Sequence, residues 1–152
     1  MSSTTTTLTD LPSLKGQVLG VTEWLEVTQE RVNTFADATD DHQWIHVDQE
    51  RAAAESPFGG PIAHGFLTLA LFIPMFSQVL RVTDVKMAVN YGLNKVRFPA
   101  PVPVGSKIRL TATLVDVEEV KGGLQLIVGG VIEREGSDKP VCVLESVARL
   151  YG

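Results

Sequence analysis

The chain has 152 residues, 44% of them hydrophobic and 20% charged, which is enough for one soluble domain with a real core. Its formal net charge of −5, with acids and bases interspersed, excludes a general attraction to nucleic acid or acidic membrane. The single cysteine, Cys142, excludes an internal disulfide or a cysteine-rich metal site, and its neighbours Val141, Val143 and Leu144 make it a small side chain in a strand.

Residues 1–10, "MSSTTTTLTD", are low-complexity Ser/Thr and are expected to be disordered, with one domain over residues 11–152. They carry neither a basic region nor an apolar run, so the cytoplasm is the expected compartment. "GQVLGVTEWLEVT" reads as a first strand region. Thr28 then caps a helix, "QERVNTFADAT", with Val32, Phe35 and Ala36 on one face. A polar turn, "DDHQWIHVD", follows, and its last residue, Asp48, caps a second short helix, "QERAAAES".

From Ser56 to Leu80 there is no charged residue. Pro57, Gly59, Gly60 and Pro61 break the first part, so membrane insertion is not expected. The remainder, "IAHGFLTLALFIPMFSQVL", reads as a helix buried on most sides, kinked or ended at Pro74. After Arg81 come four long strand patterns: "VKMAVNYGLNKVRFPAPVPVG", "SKIRLTATLVDVEEV", "GGLQLIVGGVIEREG" and "KPVCVLESVARLY". "KGG" and "EGSDKP" are hairpin-type turns. One curved antiparallel sheet around one apolar helix, an α+β arrangement, satisfies this order.

Chemistry concentrates in the polar turn. It holds two of the three histidines, His42 and His46, with Asp40 and Asp41 beside them. An imidazole titrates near neutrality, and a carboxylate such as that of Asp41 can orient it and share a water with it. "GGPIAHGF" marks the start of the apolar helix, where the first N–H groups lack internal partners. Gly65 there could let a carbonyl oxygen approach its N–H, or could serve tight helix–sheet packing. His64 reads either as a third group of the site or as a buried histidine bonded to backbone. A rival reading takes His42 and His46, three residues intervening, as metal ligands completed by Asp41 and His64; the absence of a helical scaffold counts against it, and no metal is expected.

Taken together, "DDHQWIH", then "IAHGF", then "NKVRFPAPVPVG" resemble the MaoC-like, R-specific enoyl-CoA hydratases, in particular the nodulation-protein-N-like branch. The resemblance covers about residues 15 to 151 and implies a hot-dog fold. It implies Asp41 and His46 as the catalytic pair, Gly65 as the N–H that binds the thioester oxygen, and Gln43 and His64 as supporting residues. It implies an acyl-CoA substrate, no cofactor beyond the thioester itself, and a homodimer. Lys95 and Arg97 are candidates for the CoA phosphates, on the strand face opposite Val96 and Phe98. Asp40, Gln43 and Trp44 stand where the family motif has glycine, asparagine and proline, and Ile73 and Pro74 lie where some members have a serine. The implied activity is reversible hydration of a trans-2-enoyl thioester to the (R)-3-hydroxyacyl thioester. A hot-dog thioesterase and a non-catalytic acyl-thioester binding module are the alternatives.

Overall fold

The computed structural model describes residues 1–152. In chain order its elements are β1 (Thr4–Thr6), β2 (Val18–Val21), β3 (Leu25–Glu26), α1 (Gln29–Thr39), α2 (Trp44–Val47), α3 (Gln49–Glu55) and α4 (Gly65–Val79). Then follow β4 (Leu80–Val82), β5 (Met87–Arg97), β6 (Lys107–Val120), β7 (Gly123–Arg134) and β8 (Cys142–Tyr151). The main sheet runs β2-β6-β7-β8-β5, with β3 also on β6, and every pairing in it is antiparallel.

Period-two alternation builds the sheet. Ile108, Leu110, Ala112 and Leu114 on β6 are fully buried, whereas Lys107, Arg109, Thr111 and Thr113 face outward. The matching inner face of β7 is Leu124, Leu126, Val128 and Ile132, and β6 and β7 keep these in register apart from one shift near Leu114 and Asp116. Helix α4 lays Leu67, Leu71, Phe72, Met75 and Val79 on this face. Gly130 seats it: a Cβ there would lie 3.2–3.3 Å from the side chains of Leu110, Leu144 and Phe72, which would have to give by a few tenths of an ångström. A sheet curled around one apolar helix is the hot-dog arrangement.

The caps form where local chemistry places them. Thr28 Oγ1 accepts from the Arg31 N–H, and an Asp48 carboxylate oxygen accepts from the Arg51 N–H. Asp40 ends α1 with φ of 60°, the chain's one non-glycine residue in the left-handed region. That explains why glycine suits this motif position. Asp40 also sets a negative charge at the helix C-terminus, where the dipole is unfavourable. Asp40→Gly is expected to raise stability by about 0.5–1 kcal/mol, read as a higher urea midpoint at unchanged slope.

Several expectations need correction. Residues 1–10 are not disordered: β1 pairs in parallel with β4, Ser2 bridges Val21, and the Leu8 N–H donates to Asp84. The polar tail is held by backbone bonds, a partner choice that composition does not encode. Helix α4 does not end at Pro74, which sits on its exposed side; only the missing donor toward the turn before is lost. Nor is α4 buried on most sides, because Phe66 (70% exposed) and Ile73 (44%) face outward. The first strand region is also split in two, with Thr22 between the halves accepting from the Leu110 N–H through its hydroxyl.

Candidate active site

The turn after α1 and the start of α4 meet. Asp41, His46 and His64 each offer a ligand-type atom, and these atoms lie within 4.8 Å of one another. Folding therefore closes the distance between "DDHQWIH" and "IAHGF" that the sequence leaves open. The short helix α2 carries His46, whose own N–H donates to the Gln43 carbonyl and whose carbonyl accepts from Gln29 Nε2. Gln29 also donates to Asn33 Oδ1, so α1 anchors α2 from below.

The imidazole of His46 is 6% exposed. Its Nδ1 is 2.7 Å from the Ile62 carbonyl oxygen. A carbonyl only accepts, so Nδ1 carries the proton and Nε2 presents a lone pair. Burial holds the His46 pKa below 6.5, and His64 pushes the same way; the Ile62 bond and Asp41 oppose without reversing it. The ring is thus a free base at neutral pH. Activity that uses this base should fall as pH drops through a value below 6.5. The part of the stability that rests on His46 should also fall on acidification, because the unfolded chain, with its higher histidine pKa, takes up the proton first; His42, whose pKa is raised, acts the other way, so the melts compare wild type with His42→Gln. Rate profiles and melts between pH 7.5 and roughly pH 5 check both, and a flat response would contradict them.

Asp41 is exposed, with half its side-chain surface open, and supplies a carboxylate at the edge of the pair. His64 is 3% exposed and its ring stacks on His46 at a centroid distance of 3.9 Å. Its Nε2 donates to the Asp41 backbone carbonyl at 2.9 Å. The Phe35 ring of α1 also packs against it, at a centroid distance of 4.8 Å. Gly65 is the first residue of α4, where N–H groups have no partner within the helix and the dipole is positive. A Cβ on Gly65 would lie 3.2–3.4 Å from the Phe98 ring, so the packing role of this glycine is real.

Other expected residues stand apart. His42 turns away and pairs with Asp37 at 2.9 Å, which raises its pKa, so the four-ligand metal set of His42, His46, Asp41 and His64 does not assemble. The exposed Gln43 uses its backbone carbonyl, and its amide makes no hydrogen bond. Trp44 instead lies under the Arg51 guanidinium at 4.3 Å. Lys95 and Arg97 register with Glu145 and Val143 on the outer sheet face, opposite Val96, and do not join the Asp41–His46 cluster. Cys142 is buried, and burial pushes its thiol up to about 11, so it is not a thiolate nucleophile at neutral pH. The Ile62 carbonyl, Gln29, Phe35 and Phe98 are not among the site residues expected from sequence, where Phe35 and Phe98 read only as apolar face residues; a backbone acceptor and contacts made only through folding leave no local signal.

Two clefts flank α4. A cavity of about 600 Å³ lies between it and the inner faces of β5 and β8, lined by Phe72, Ile73, Phe76, Ala88 and Leu93 among others. A second cleft, between α1 and α4, is lined by Phe35, Leu67, Leu71, Arg31 and Thr34. None of the clustered polar residues lines the cavity against β5 and β8, but Phe35 of the cleft between α1 and α4 touches His64.

Comparison with known proteins shows the family and the fold. The MaoC-like domain model matches residues 10–135. The 3-hydroxyacyl-thioester dehydratase Z of Mycobacterium tuberculosis is 58% identical over 141 residues, covering 92% of this chain and 93% of that one. Nodulation protein N of Rhizobium meliloti is 46% identical over 143 residues, covering 93% and 89%. Among solved structures, the (R)-hydratase from A. caviae involved in PHA biosynthesis superimposes with a TM-score of 0.73 at 24% identity, covering 90% of this chain and 96% of that one. The chain therefore belongs to the MaoC-like dehydratase family of hydro-lyases and has its hot-dog fold.

Proposed function

We propose that the protein adds water reversibly across the double bond of a trans-2-enoyl thioester to give the (R)-3-hydroxyacyl thioester. The observation that carries this reading is His46: a buried imidazole with its tautomer fixed by Ile62, kept in its free-base form, beside the Asp41 carboxylate. The name of the mycobacterial relative, a 3-hydroxyacyl-thioester dehydratase, supports the same substrate class.

In the proposed mechanism one water sits between Asp41 and His46 Nε2. One of the pair takes its proton as the oxygen attacks the β-carbon. That proton, passed within the pair, is then delivered to the α-carbon, so the hydroxyl and the hydrogen of one water add on one face of the substrate and both groups return to their starting states. Charge that develops on the thioester oxygen meets the Gly65 N–H and the positive end of α4. No covalent nucleophile is used, and the thioester and one water are the reactants. The acyl chain finds apolar lining along α4.

The working unit is proposed to be a homodimer. Strand β5 pairs only with β8, so its other edge is open, and it presents Met87, Val89, Tyr91 and Leu93 to solvent in the single chain. An open edge of this length and apolarity is what a second copy would cover. None of the helices is long and apolar enough to cross a membrane.

The test is to add the protein to crotonyl-CoA and, separately, to butyryl-CoA, following enoyl absorbance and free thiol together. Loss of enoyl absorbance without thiol release is the expected result. Thiol release from the saturated thioester would replace this reading with a thioesterase. Tight binding of both without turnover would replace it with a binding module.

A further inference from the structure

His64 takes no part in either proton step above, yet it occupies the centre of the cluster. Its ring contacts both Phe35 and His46 and is almost fully buried. Nδ1 is buried and finds no hydrogen-bond partner. A polar ring in such a slot carries a desolvation cost that a phenyl ring of similar shape would not. What a phenyl ring lacks is the Nε2–H.

Asp41 has need of that donor. It lies outside any helix or strand, just after the left-handed Asp40, and takes part in no backbone–backbone hydrogen bond. The bond from His64 Nε2 to its carbonyl is the one hydrogen bond Asp41 makes. The same ring stacks on His46, and its residue precedes Gly65 in the chain. Three groups of the proposed site are thus referenced to one residue: Asp41 by a hydrogen bond and His46 by ring stacking to its side chain, and Gly65 by the peptide bond to its backbone.

Resting on the hydratase reading, we infer that His64 is a positioning residue: its Nε2–H ties the Asp41 backbone to the start of α4 and fixes the spacing of carboxylate, imidazole and Gly65 N–H. It touches neither water nor substrate. Its loss should act on turnover and leave substrate binding nearly intact.

Two variants separate the functions of the ring. His64→Phe keeps a stacking surface and removes the donor. His64→Gln places an amide N–H near the position of Nε2 and removes the ring. Each is measured for kcat and KM on crotonyl-CoA, with melting curves, and for backbone NMR order parameters at residues 40–42. The expected result is a folded Phe variant with kcat lowered roughly 100-fold, and a Gln variant recovering to within about tenfold of wild type. KM should stay within about twofold in both. The order parameters should fall in the Phe variant and not in the Gln variant. Wild-type kcat and unchanged order parameters in the Phe variant would overturn the inference. So would a folded Gln variant as inactive and as mobile at Asp41 as the Phe variant; if the Phe variant does not fold, the Gln variant alone decides. A wild-type protein that hydrates neither crotonyl-CoA nor a longer enoyl-CoA would fail the hydratase reading instead, while the order parameters would still decide whether His64 holds Asp41.

Discussion

Asp41→Asn and His46→Gln are each expected to lower kcat for enoyl-thioester hydration by roughly 10²–10⁴-fold, the range a positioned acid–base group supplies. Both substitutions nearly keep the volume of the side chain. Asp41→Asn retains the backbone carbonyl that His64 holds, so the turn keeps its shape and only the ionisable group is lost. In His46→Gln the new amide falls near the position of Nε2 and offers no basic nitrogen there, while the Ile62 carbonyl loses its Nδ1 donor. The losses should be far from additive in the double variant, because two groups that share one water act as a unit. Activity near wild type in either folded variant would remove that residue from the mechanism. The measurement is initial rate against concentration at pH near neutrality, where His46 is already the free base.

Leu110→Ala is expected to cost about 2–5 kcal/mol of stability, and Met75→Ala a similar amount, lowering the melting temperature by roughly 4–20 °C. Both side chains have no exposed surface. Leu110 lies at the point where Gly130 lets α4 approach the sheet, next to Leu144 and Phe72, so the cavity left by truncation cannot be filled by a solvent-facing neighbour. Met75 comes from the helix side of the same core. Below their own melting points these variants should keep the spacing of Asp41, His46 and Gly65, and so most of their activity. Loss of activity without loss of stability would show that the core acts on the site directly.

The boundary between what the sequence reveals and what it conceals follows the range of the forces involved. Thr28 and Asp48 are legible as caps because a cap bond joins residues three apart. The four long strands are legible because alternation is written into each strand by itself. Asp41, His46 and Gly65 can be picked out as candidates through the order and spacing of two short motifs, although nothing in either motif shows that Asp41 and His46 meet His64. The partners that finish the site are not legible. Ile62 contributes a carbonyl, which every residue has; Phe98 reaches Gly65 only once β5 has found β8; the N-terminal threonines become a strand only because β4 offers an edge. Asp40 is the instructive case: a residue that departs from the motif adopts the backbone conformation for which the motif glycine is suited.

The most direct test of the central claim is to hydrate crotonyl-CoA in D₂O and determine the configuration at both new centres by NMR. One water and one acid–base pair on a single face predict an R hydroxyl at C3 with deuterium at C2 delivered to the same face. Delivery to the opposite face, an S or racemic alcohol, or release of CoA with no alcohol formed would contradict it.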